Sequence, residues 1–115
     1  VPILLFARGV NEPVLRDLLL ANEGLFKAFN GLQLDERINM PAFAERHAKL
    51  LGDIALQGNL DPALLLTSPE IITEHVQQLK ASMANFPRWI FNLGHGVNKE
   101  TPPENVAALA AALRN

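Results

Sequence analysis

Ile90-Phe91-Asn92-Leu93-Gly94-His95-Gly96-Val97, followed at once by Thr101-Pro102-Pro103-Glu104-Asn105, reads as an apolar strand that ends in a histidine between two glycines and hands over to a helix. A short apolar run bounded by glycine fits a strand buried in a parallel sheet. Thr101-x-x-Glu104 has the form of a capping box, with Pro102 at the first helical position. Val106, Leu109, Ala110 and Leu113 then recur at helical spacing and are expected to face inward. The stretch thus sets one ionisable side chain, His95, on the C-terminal rim of a strand. In parallel α/β proteins that rim is where ligands bind, because its loops vary while the strands behind them are fixed by packing.

The same passage from apolar run to turn to helical spacing occurs three times upstream. The first unit is a strand from Pro2 to Phe6, a turn at Arg8-Gly9, and a helix capped near Asn11 with Pro13 in its first turn and Val14, Leu15, Leu18 and Leu19 on one face. The second is a strand near Gly31 to Asp35 and a helix beginning around Pro41 that carries Phe43, Ala44, His47, Leu50 and Leu51; residues 22–30 ahead of it show no clear period. The third is Ile54 to Asn59, then Leu60-Asp61-Pro62, then a helix announced by Ser68-Pro69-Glu70 with Ile72, Val76, Leu79 and Met83 as its stripe. Because each strand is followed by a helix and another strand, right-handed crossovers make the strands parallel, with the helices on one side. The expected fold class is α/β: four βα units forming half of a (βα)8 TIM-type barrel, in one unit over residues 1–115. Such a half leaves two strand edges and the inner face of its sheet uncovered, so it calls for a missing half of the barrel or a second copy, with a homodimer as the expectation.

Composition narrows the chemistry. A net charge of -2 over 115 residues, with Lys and Arg scattered, argues against a nucleic-acid surface. With no Cys, disulfides, thiolate chemistry and thiolate zinc sites are excluded, and a reducing cytoplasmic location is compatible. No apolar run approaches bilayer length and no signal pattern opens the chain, so a membrane is not an expected partner. The three histidines are far apart and lack metal-ligand spacing. Neither a nucleotide-binding glycine fingerprint nor a serine nucleophile elbow is present. The chain opens on Val1, already inside an apolar run, and is expected to continue a longer protein upstream.

Four stretches together resemble the uroporphyrinogen decarboxylase family: Val1-Pro2-Ile3-Leu4-Leu5-Phe6-Ala7-Arg8-Gly9, Gly31-Leu32-Gln33-Leu34-Asp35, Leu56-Gln57-Gly58-Asn59-Leu60-Asp61-Pro62, and Phe91-Asn92-Leu93-Gly94-His95-Gly96 with Thr101-Pro102-Pro103-Glu104-Asn105-Val106. They occur in family order over nearly the whole chain. The main departure is Gln33-Leu34-Asp35-Glu36, where the family has Gly-Leu-Asp-Trp. The resemblance implies the C-terminal half of a barrel that removes the carboxyl groups of the four acetate arms of uroporphyrinogen, giving coproporphyrinogen in haem biosynthesis without a cofactor. Protonating a pyrrole carbon beside an acetate arm creates the electron sink into which the carboxylate's electron pair moves as carbon dioxide leaves. The resemblance also implies that the aspartate binding the pyrrole N–H groups, and the arginines holding carboxylates, belong to the N-terminal half, so this chain alone is expected to be inactive. His95 matches the family's active-site histidine, as a contact to a substrate carboxylate or a proton relay.

Three residues are therefore candidates for the tetrapyrrole: His95 as catalytic and substrate-binding, and Arg8 and Asp35 as substrate-binding on the rims of the first two strands. Each has a plainer reading. The glycines around His95 can serve a tight turn alone, Arg8 can pair with Glu12 on the surface, and Asp35 can fix its loop through backbone N–H groups. The plainer reading is preferred for Asn59 and Asp61, and for His47 and His75, which flank the apolar stripes of helices. A non-catalytic half-barrel that associates with itself is a rival reading. A cobamide-dependent methyltransferase is another, disfavoured because those enzymes hold zinc with a cysteine and this chain has none.

Overall fold

The computed structural model describes residues 1–23 and 27–115; residues 24–26, within the aperiodic stretch ahead of the second strand, lie outside the described residues. Strands β1 (Leu4–Phe6), β2 (Gly31–Gln33), β3 (Ala55–Leu60) and β4 (Trp89–Leu93) form one sheet in chain order. Every neighbouring pair is parallel. The helices are α1 (Glu12–Ala21), α2 (Met40–Arg46), α3 (Ala48–Leu51), α4 (Pro69–Ser82) and α5 (Pro103–Arg114), with a 3-10 turn at Pro62–Leu66. The sheet is open: β1 and β4 are its edges. Four parallel βα units in sequential order are what the sequence predicts for part of a TIM-type barrel.

Local chemistry explains most boundaries. Asn11, Asn39 and Ser68 each accept a hydrogen bond from the backbone N–H three residues on, at 3.1, 3.1 and 3.3 Å, and each is followed by a proline in the first turn. Asp61 caps the 3-10 turn by accepting from Ala63 N, two residues on, at 2.9 Å. The helix expected from Pro41 to Leu51 is broken at His47, which closes α2 with an N–H to Phe43 O and precedes α3. Its ring packs on Phe43 with 4.7 Å between centroids and meets Glu12 at 3.2 Å, a structural histidine. His75 is exposed on α4.

The capping box at Thr101 does not form. Proline at position 103 drives the preceding residue out of helical space, so Pro102 takes φ -63°, ψ 134° and becomes the cap residue, with Pro103 the first residue of α5. Thr101 Oγ1 is left buried without a hydrogen-bond partner among the described residues. The buried face of α5 also differs from the expected stripe: Asn105, Leu109 and Ala112 point inward, while Val106 is exposed. On α1 the buried pair is Leu15 and Leu19, with Val14 exposed.

Two apolar clusters lie between sheet and helices. Leu32 and Leu56 meet Leu15, Leu19, Met40 and Phe43, whereas Leu60 and Leu93 meet Ile72, Val76 and Leu109. Among the described residues the opposite face carries no helix. Leu4, Phe6 and Ile90 stand there 45%, 42% and 49% exposed, beside the amides of Gln33, Gln57 and Asn92. This is the face that points inward when such a sheet curls into a barrel.

Candidate functional site

The uncovered face and the C-terminal ends of β1, β2 and β4 meet at a cleft of about 390 Å³ lined by Phe6, Gln33, Gln57, Asn92, Leu93, His95, Gly96 and Val97. Phe6, Gln33 and Leu93 are the last residues of their strands, so the cleft lies on the rim where the sequence placed His95. The imidazole is about one-third exposed. It is held there by Gly94, whose N–H donates to Leu60 O at 2.8 Å and whose lack of a side chain lets the turn lie against the β2–α2 loop; a Cβ at this position would run into the backbone and side chain of Glu36.

The partner of His95 is Glu36, in the loop after β2. Its Oε2 lies 2.8 Å from His95 Nδ1 across 59 residues of sequence. Partial burial opposes ionisation of this carboxyl. The hydrogen bond from His95, the backbone N–H of Glu36 and the attraction of the imidazole outweigh both that burial and the repulsion of Asp35, and hold Glu36 below the usual glutamate range. Glu36 is thus ionised near neutrality and can only accept.

The floor of the cleft is an amide network. Gln33, 4% exposed, donates from Nε2 to Leu93 O at 2.9 Å, while its Oε1 accepts from Gln57 Nε2 and, at 3.4 Å, from Asn92 Nδ2. Asn92 Oδ1 accepts from Leu93 N at 2.8 Å. These side chains link the ends of β2 and β4 to the middle of β3 and give the cleft an uncharged polar floor beside the apolar Phe6, Leu93 and Val97. Glu36 and this triad went unread in the sequence. The available signal was an amide residue at inward positions of three neighbouring strands, Gln33, Gln57 and Asn92, each following an apolar helix-facing residue.

The other candidates fall out as follows. Asp35 is 3% exposed, and both of its oxygens serve the backbone: Oδ2 accepts from Gly9 N at 2.7 Å and Oδ1 from Arg37 N at 3.0 Å. It ties the β1–α1 loop to the β2–α2 loop, with Gly9 supplying a φ of +81°. Asn59 braces the same loop by donating to Asp35 O and Ile38 O at 2.8 and 2.6 Å. Arg8 is exposed beyond the end of β1 and is not among the residues lining the cleft. The alternative surface pair with Glu12 does not form, and Glu12 is instead engaged by Arg46 through two 3.0 Å hydrogen bonds and by His47. A second hollow, between Gly9, Glu12, Arg37 and Arg46, holds cations that already face carboxylates. Among the described residues no group of three or more His, Cys, Asp and Glu side chains is placed to hold a metal ion, and no helix is long and apolar enough to cross a membrane.

Comparison with known proteins gives the same direction over a wider span. Uroporphyrinogen decarboxylase of Burkholderia mallei (strain SAVP1) is 46% identical over 76 residues, 66% of this chain and 20% of the relative. The protein of that name from Burkholderia thailandensis matches with the same figures. That of Paraburkholderia phytofirmans is 36% identical over 109 residues, 95% of this chain and 27% of the relative. The matched segments therefore make up about a quarter of the relatives' own length. The family model described as uroporphyrinogen decarboxylase matches residues 1–115, and the chain belongs to the uroporphyrinogen decarboxylase family.

Proposed function

We propose that residues 1–115 form the C-terminal half of a barrel that decarboxylates the acetate arms of uroporphyrinogen to give coproporphyrinogen in haem biosynthesis, without a cofactor and in the cytoplasm. The observation that supports this reading best is His95 on the C-terminal rim, facing a cleft of amide side chains on the uncovered face of the sheet. Neutral amides and an imidazole suit a substrate with several carboxylates and pyrrole N–H groups, because they offer donors and acceptors without adding negative charge. Glu36 is compatible with such a ligand because its carboxylate is turned onto the imidazole. Arg8, on the same rim, is a second contact for a carboxylate in this proposal. Asp35 acts as the anchor of the loop that carries Glu36 rather than as a direct contact. The rest of the barrel, from the longer protein or from a second copy in a homodimer, supplies the remaining strands and the principal catalytic groups.

The test joins this segment to the N-terminal half of a relative. The fused protein is expected to release carbon dioxide from uroporphyrinogen, and the 115-residue chain alone is not. His95→Asn in the fused protein is expected to slow release about tenfold or more, the order of one hydrogen bond to a charged group. An unchanged rate counts against the role of His95.

A further inference from the structure

The two ring nitrogens of His95 have different surroundings. Nδ1 faces the Glu36 carboxylate at 2.8 Å, and among the described residues Nε2 makes no hydrogen bond. An ionised carboxylate has no proton to give, so the proton on the Nδ1–Oε2 line belongs to Nδ1 whether the ring is neutral or charged. Nε2 is then the atom that gains and loses a proton.

Both ends of this contact are held from outside. Gly94 seats the histidine turn directly on Glu36. Asp35, next to Glu36, is locked to the backbone of Gly9 and Arg37, and Asn59 holds the carbonyls of Asp35 and Ile38. The loop bearing the carboxylate is thus fixed by bonds that do not involve His95, which is the condition for Glu36 to orient the ring rather than follow it.

We propose that Glu36 is a positioning residue that fixes His95 as the tautomer protonated at Nδ1, making Nε2 the proton-exchanging atom presented to the cleft. In the charged ring Nε2–H passes its proton to an acceptor atom of the ligand and leaves a neutral ring still bonded to Glu36; the reverse step takes a proton up. The carboxylate keeps its charge throughout. The identity of the ligand as a carboxylate-bearing pyrrole rests on the function proposed above, whereas the tautomer does not.

The experiment uses the 115-residue chain with ring-¹⁵N-labelled histidine, with ¹⁵N–¹H correlation spectra recorded under conditions where the spectra show the neutral ring, and His95 assigned by its loss in His95→Asn. The wild-type protein is expected to carry the His95 proton on Nδ1 in roughly tenfold excess, the equivalent of about 1.4 kcal/mol from one charge-assisted hydrogen bond. Glu36→Leu is expected to abolish the excess, and Glu36→Gln, whose amide oxygen still accepts, to keep part of it. A wild-type ring protonated mainly on Nε2, or a ratio unchanged by Glu36→Leu, overturns the proposal. If Glu36→Leu loses its amide dispersion and so its fold, the wild-type and Glu36→Gln spectra decide alone. No substrate enters the measurement, so a fused barrel that fails to release carbon dioxide counts against the proposed function and leaves this result standing.

Discussion

Glu36 links the local chemistry of the site to the stability of the fold. Its carboxyl ionises more readily in the folded chain than in the unfolded one, because the hydrogen bond and charge of His95, with its own backbone N–H, outweigh burial and the neighbouring Asp35. For a carboxyl lowered on folding, the unfolded state binds more protons across the window between the two values. The contribution is therefore fully present above the unfolded value, near pH 4.3 for glutamate, and is lost as pH falls through the folded value. The stability difference between wild type and Glu36→Gln is expected to hold steady just above about pH 5 and to shrink on further acidification. Urea midpoints at several pH values measure it, and a difference that stays flat down to the acid limit speaks against an ionised Glu36. Asp35, adjacent in sequence, and Arg37, which lies 3.9 Å from Asp35, are present in both proteins and cancel in the comparison.

Asn105 does for an element what Asp35 does for a loop. Only 3% exposed, it donates from Nδ2 to Leu65 O at 2.8 Å and to Thr67 O at 3.0 Å, and so fastens the start of α5 to the end of the 3-10 turn after β3. Asn105→Ala leaves one buried and one partly buried carbonyl short of a donor and is expected to lower stability by about 2 kcal/mol, read as a shift of the urea midpoint; a shift within error of zero removes the bracing role. The element order was legible because caps and prolines punctuate it: Asn11-x-Pro13, Asn39-x-Pro41 and Ser68-Pro69 each begin a helix where they stand. Thr101-Pro102-Pro103 was misread because a second proline moves the cap by one residue; separately, the packing of α5 turns Asn105 inward and Val106 outward. His95 was legible from its glycine-flanked strand end. Glu36 was not, since nothing local to either loop tells that positions 59 residues apart meet.

Over the full sheet, apolar side chains are buried on one face and left in solvent on the other. Helices cover Leu32, Leu56, Leu60 and Leu93, while Leu4, Phe6 and Ile90 stay about half exposed on the face that holds the cleft. Edge strands β1 and β4 also present unpaired backbone groups in parallel orientation. In a longer protein of this family further strands can pair with both edges and place this face inside a barrel. In a solution of the 115-residue chain alone, the surface available to do so is that of another copy, because β4 of one chain and β1 of the next can extend the same parallel ladder and bring the apolar side chains together. Light scattering coupled to size exclusion is therefore expected to show a mass that rises from one chain toward two with concentration. Ile90→Lys, which puts a charge on edge strand β4 within the uncovered face and lies outside the helix-side clusters and the His95–Glu36 contact, is expected to return the chain to a monomer, since burying an unpaired ammonium costs several kcal/mol. A wild-type mass equal to one chain at every concentration, or an association untouched by Ile90→Lys, shows that closure through this face does not occur between copies.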